Sequence, residues 1–120
     1  MKGQCIAVVS GKGGTGKTSL TAGVGTALAQ SGRSVLCVDC DIGLRNLDLA
    51  LGLTDQALMD FSDVALKRCS LESAVVAHPN IRGLYLLTAP VRLRGPAVTE
   101  ADFRQMLSEI REKFDYCLLD

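Results

Sequence analysis

Charge of neither sign is in excess in this chain: thirteen lysines and arginines balance thirteen aspartates and glutamates. The balance excludes a strong overall field drawing the molecule to nucleic acid or anionic lipid. Arg92 and Arg94 do sit close together in a loop region, where ordinary solvated charge is the simpler reading. A single histidine, His78, lies beside Pro79 without ligand-spaced partners, which argues against a histidine metal centre. No stretch approaches the ~20 apolar residues of a membrane span. The first ten residues lack the charged start and long apolar core of a secretory signal, so a cytoplasmic location is expected. Internal repeats, low-complexity segments and linkers are missing too. Five cysteines, an odd number, lie singly or in apolar runs rather than at disulfide-framework spacings, as in a reducing compartment. Cys37 and Cys40 form one C-x-x-C with no second pair. Cys37 reads as a small buried hydrophobe, with a metal or redox role as the alternative. What is present is 48% hydrophobic residues against 22% charged ones, enough to build a packed core in a chain of one domain or less.

Glycine is concentrated where it carries most meaning. Residues 11–18 read Gly11-Lys12-Gly13-Gly14-Thr15-Gly16-Lys17-Thr18, the complete P-loop pattern G-x-x-x-x-G-K-[ST], with Ser19 following. In such a loop, main-chain amides wrap a triphosphate, the lysine neutralises its outer oxygens and the threonine hydroxyl ligates Mg²⁺. The flanks suit it. Cys5 to Val9 is an apolar run expected to form a strand, over 4–9, buried on both faces. Residues 18–30 are rich in alanine, leucine and small residues, without proline, and Ser31-Gly32 supplies a helix stop. A phosphate would therefore rest at a helix N-terminus. Gly11, Gly13 and Gly16 also spell the dinucleotide fingerprint G-x-G-x-x-G, with Asp39 near the place of a ribose-binding acid. Lys17-Thr18 decides against that rival, because a transferable γ-phosphate needs the lysine and the metal-binding hydroxyl and a bridging pyrophosphate does not.

Further along, strands are expected at 34–39, 84–88 and 116–119. A loop runs from Cys40 to about Asn46, and helices are expected near 56–67 and 71–77. Thr99 reads as the N-cap of a helix reaching about Lys113, with Asp102 completing a capping box. Phe103, Met106, Leu107 and Ile110 mark its buried face. Helices alternating with uniformly apolar strands predict an α/β fold: a P-loop NTPase with a parallel sheet covered by helices on both faces. The last apolar strand stops at Asp120, where a ligand-bearing loop would begin. The expectation is therefore that residues 1–120 are the N-terminal portion of a single P-loop ATPase domain, incomplete after its Walker B strand. Asp39, Asp41 and Asp120 all fall at expected carboxyl ends of parallel strands, on the edge where the P-loop opens. An acid closing an apolar strand, as Asp120 does, suits a carboxylate that holds Mg²⁺ through water. Asp41 could orient the attacking water or simply form the turn before Gly43. Asp115 lies at the opposite edge and reads as structural.

The run Lys12-Gly13-Gly14-Thr15-Gly16-Lys17-Thr18 resembles the deviant Walker A motif of the MinD/ParA ATPase family, whose mark is the extra lysine, here Lys12. Residues 39–49, Asp39-Cys40-Asp41-Ile42-Gly43-Leu44-Arg45-Asn46-Leu47-Asp48-Leu49, are similar to the MinD branch in particular. The resemblance implies ATP and Mg²⁺ as ligands, with nucleotide contacts across residues 11–19. It implies Lys17 acting within its own subunit and Lys12 reaching the nucleotide of a partner in an ATP-dependent homodimer. Asp41 would handle the attacking water, while Thr18, Asp39, Asp41 and Asp120 would furnish the metal shell. It further implies a division-inhibitor partner, an ATPase-activating partner, and peripheral attachment to the inner face of the cell membrane through a C-terminal helix. Nucleic acid is not an expected partner. Chromosome-partition and flagellar-number ATPases are the alternatives within the family. An iron–sulfur carrier on the same scaffold, with Cys37 and Cys40 as its only candidate ligands, is the more distant one. Cys40 and Ser19 depart from the family's usual residues, a small or apolar one and a threonine.

Overall fold

The computed structural model describes residues 3–9, 15–93 and 95–120. Among these residues five strands form one mixed sheet: β1 (Gln4–Ala7), β2 (Val35–Val38), β3 (Val76–Ala77), β4 (Leu84–Leu87) and β5 (Tyr116–Leu119), in the order β1-β5-β2-β4-β3. β1, β5, β2 and β4 run parallel, whereas β3 pairs antiparallel with β4. β2 is buried along its whole length, because it sits between two neighbours and under helices on both faces. That explains its uninterrupted Val-Leu-Cys-Val.

Among the described residues there are five helices: α1 (Thr15–Gln30), α2 (Asn46–Ala50), α3 (Phe61–Ala65), α4 (Leu71–Ala74) and α5 (Glu100–Lys113). Alternate strand residues feed two cores. Val35, Cys37, Leu84, Leu86 and Leu118 pack with Ala29 of α1 and with Leu47 and Leu51 around α2. Leu36, Val38, Leu87 and Cys117 pack with Phe61 and Val64 of α3 and Met106 and Ile110 of α5. The rings of Phe61 and Phe103 meet edge to face at 6.0 Å, fastening α3 to α5. The α5 cap forms as the sequence implies: the Thr99 hydroxyl accepts from the Asp102 amide, and the Asp102 carboxylate accepts from the Thr99 amide.

Several expectations are corrected. Within these 120 residues Gln4, Ile6 and Ala7 of β1 are exposed, where among the described residues β1 pairs with β5 alone. α1 begins at Thr15 rather than Thr18. The helix expected at 56–67 shrinks to α3. The Asp60 carboxylate accepts the amides of Ser62 and Asp63 and starts it, and Lys67, at φ 62°, follows its end. The helix expected at 71–77 stops at Ala74, and β-branched Val76 enters an antiparallel edge strand instead, so the sheet is not purely parallel. Residues 46–50, beyond the expected loop, form α2, whose Leu47 is fully buried.

Candidate functional site

Parallel pairing sets the site before any side chain does. The ladder continues past the strand ends: the Val8 amide donates to Leu119, Asp120 to Val38, Cys40 to Asp120 and Asp39 to Leu87. Residues 8, 39, 40 and 120 therefore lie side by side along the carboxyl edge, the usual ligand edge of an open α/β sheet. α1 starts on that edge. Gly11, Lys12, Gly13 and Gly14 lie outside the described residues, as does the side chain of Thr15; Gly16, Lys17, Thr18 and Ser19 form the first turns of α1.

Lys17 points into the acids. Its Nζ is 3.3 Å from Asp120 Oδ1 and 3.5 Å from Asp41 Oδ2. Burial works against its charge, but the Asp120 and Asp41 carboxylates outweigh that and raise its pKa. The Thr18 hydroxyl donates to Asp120 Oδ2 at 3.0 Å, and the Thr21 hydroxyl reaches Asp120 Oδ1 at 2.7 Å. Ser19 is exposed on the outer side of the same turn.

Asp39 is fully buried, with its oxygens accepting the amides of Asp41 at 3.0 Å and Leu47 at 3.4 Å. Burial raises its pKa; those two amides act against the rise, and Asp120 and Asp48 add to it. Asp39 thus anchors the loop that carries Asp41, and Asp41 itself is largely open to solvent. One oxygen from each of Asp39, Asp41 and Asp120 lies within 4.8 Å of the others. Three carboxylates and a threonine hydroxyl are hard oxygen donors, the set Mg²⁺ prefers, so the residues fit that ion. The loop after Asp41 turns at Gly43, φ 113°, whose amide donates to Pro90; Arg45 Nε donates to the Ala89 carbonyl.

The remaining candidates fall elsewhere. Cys37 and Cys40 pack into opposite cores, on opposite faces of the sheet. Side chains on opposite faces do not converge on one ion, and burial pushes the thiols up to about 12 and about 11. His78 accepts the amides of Asn80 and Ile81 at Nδ1, so its Nε2–H donates to the Leu51 carbonyl at 3.0 Å. Its role is to tie a loop to the end of α2. Asp115, at the far edge, accepts the Ser34 amide. Arg92 is exposed, and Arg94 lies outside the described residues.

Two groups escaped the sequence reading. Thr21 carries the weak signal of a hydroxyl three residues after Thr18, on the same helix face. Asp48 accepts the Thr88 hydroxyl at 2.7 Å, and its other oxygen is buried with no hydrogen-bond partner among the described residues. Its only sequence signal was its place in the 39–49 run.

A lysine and threonine opening a helix at the carboxyl edge, over an acid that closes an adjacent strand, define a P-loop nucleotide-binding protein. Residues 6–115 match the CobQ/CobB/MinD/ParA nucleotide binding domain, and the chain belongs to that family of P-loop ATPases. It is 41% identical over 119 residues to the septum site-determining protein MinD of Bacillus subtilis, covering 98% of this chain and 44% of that protein. The MinD of an Aquifex aeolicus MinC:MinD cell division complex superposes with a TM-score of 0.85 at 40% identity, over 98% of this chain and 46% of that one. Pyrococcus horikoshii MinD complexed with Mg-ADP superposes at 0.74 with 32% identity, over 98% and 48% respectively. The chain thus spans less than half the length of these relatives. Among the described residues no helix is long and apolar enough to cross a membrane.

Proposed function

We propose that the protein carrying this chain is a MinD-type ATPase. It binds Mg-ATP, dimerises on doing so and serves in placing the division site at the cytoplasmic face of the membrane. The observation that carries the reading is Lys17 held between Asp41 and Asp120 at the start of α1, with Thr18 on the same carboxylate. In this arrangement the ammonium is balanced by two acids. A triphosphate at the helix start would compete for it, and the freed carboxylates would face a cation. Thr18, Asp41 and Asp120 would hold Mg²⁺, with Asp39 supporting the loop. The ion would neutralise charge on the outer phosphates.

Asp41, exposed beside Lys17, is the acid available to orient water. Residues 11–16 would supply main-chain amides, and Lys12 would reach a partner subunit's nucleotide, supplying positive charge in trans. Similarity to a MinD seen with MinC supports a division-inhibitor partner, and family membership supports an activating partner and reversible membrane attachment.

The test uses the intact protein with lipid vesicles. Lys17→Ala is expected to abolish nucleotide binding. Lys12→Ala should keep binding but lose dimerisation or hydrolysis. A Lys12 variant that hydrolyses ATP at the parent rate refutes the trans role. Salt-sensitive DNA binding without nucleotide-dependent vesicle binding would move the protein to the partition branch.

A further inference from the structure

Thr21 is fully buried one helical turn below Lys17, and its hydroxyl has two acceptors within reach. One is the Lys17 carbonyl at 2.9 Å, the ordinary local partner of a helical threonine. The other is Asp120 Oδ1 at 2.7 Å, from a strand end 99 residues away. A hydroxyl has a single hydrogen, and the shorter contact to the charged acceptor takes it.

Both oxygens of Asp120 are then fixed. Oδ1 is held by Thr21 and Lys17, and Oδ2 by Thr18. The outer torsion of an aspartate is broad, so the carboxylate plane is set by these partners rather than by its own rotamer. The plane matters because Thr18 gives its hydrogen to Oδ2. That bond turns the Thr18 lone pairs away from Asp120, where they can face a cation.

We propose that Thr21 is a positioning residue for the divalent ion that accompanies the nucleotide. By clamping Asp120 Oδ1 it keeps Oδ2 on the Thr18 hydroxyl, and so sets the affinity for Mg²⁺ without touching ion or nucleotide. The inference rests on the nucleotide-binding function proposed above and deepens it.

The experiment titrates Mg²⁺ into the intact protein with a fluorescent ADP analogue, alongside nucleotide titrations in chelator. Thr21→Val keeps the shape and removes the donor; Thr21→Ser keeps the donor. The valine variant is expected to need about tenfold more Mg²⁺ for half-saturation, the scale of one lost hydrogen bond to a charged group. Its affinity for metal-free nucleotide should stay within about twofold on the same reasoning. The serine variant should titrate like the parent. If Thr21→Val does not fold, Thr21→Ala is read in its place with the same expectation. A donor-less variant with the parent's Mg²⁺ dependence, or a serine variant as impaired as the donor-less one, overturns the role of Thr21 alone. A parent that binds no Mg-nucleotide overturns the proposed function together with it.

Discussion

Gly25 lies in the middle of α1, and replacing it with alanine tests how closely this helix must approach the sheet. A methyl group there would sit 2.8 Å from Cys37 Sγ, 3.3 Å from Leu84 Cδ1 and 3.5 Å from Leu118 Cδ1. All three neighbours are fully buried, and Cys37 lies in the central strand β2. The sulfur is bonded directly to Cβ and can move only by turning χ1 within a close-packed core, so relieving the contact disturbs its buried neighbours. Alanine gains about 1 kcal/mol over glycine in a helix interior. Overpacking a close-packed core costs ~1–3 kcal/mol. With a contact of 2.8 Å, the upper part of that range applies, and the variant should be about 1–2 kcal/mol less stable than the parent. Removing the sulfur in Cys37→Ala frees the space, so the double variant should be more stable than the sum of the singles by about 1 kcal/mol or more. Urea denaturation with matched slopes measures all four proteins. A Gly25→Ala variant as stable as the parent, or a double variant that is simply additive, refutes the close-approach argument. Because α1 carries Lys17, Thr18 and Thr21, displacing it should also weaken nucleotide binding.

Two further outcomes are expected. Thr99→Ala removes the N-cap of α5 and should cost about 1 kcal/mol in the same denaturation assay; no loss would mean the capping box is not formed in solution. Burial raises the pKa of Asp48, against the pull of the Thr88 hydroxyl and Arg45. A raised acid binds its proton more tightly when folded, so it lowers stability as pH climbs from the ordinary value of about 3.9 through the folded one. Asp48→Asn cannot titrate, so its stability should fall less over that window, and an unchanged pH slope would refute the assignment.

The elements legible in advance are those whose signal is local. Val35 to Val38 and Tyr116 to Leu119 read as strands because each is apolar without a break, as inner strands of a parallel sheet are. The α5 helix announced itself through Thr99, Asp102 and the spacing of Met106 and Ile110. The P-loop is a string of adjacent residues whose chemistry needs no knowledge of the fold. The misread elements depend on partners distant in sequence. β3 exists because Val76 and Ala77 find Leu86 and Tyr85 across an antiparallel register. α2 is five residues long, too short to show a period, and is held by burying Leu47.

The candidate site divides the same way. Residue type and strand-end position marked Lys17, Thr18, Asp39, Asp41 and Asp120. The distinct duties of these residues came from the pairing of β5 between β1 and β2. That pairing places Asp120 against α1, gives Asp39 to the main chain and leaves Asp41 open. It also brings Thr21 to a carboxylate 99 residues away. Chemistry carried by neighbouring residues is written in the chain, whereas hydrogen bonds between distant strands and helices exist only once the backbone has closed around them.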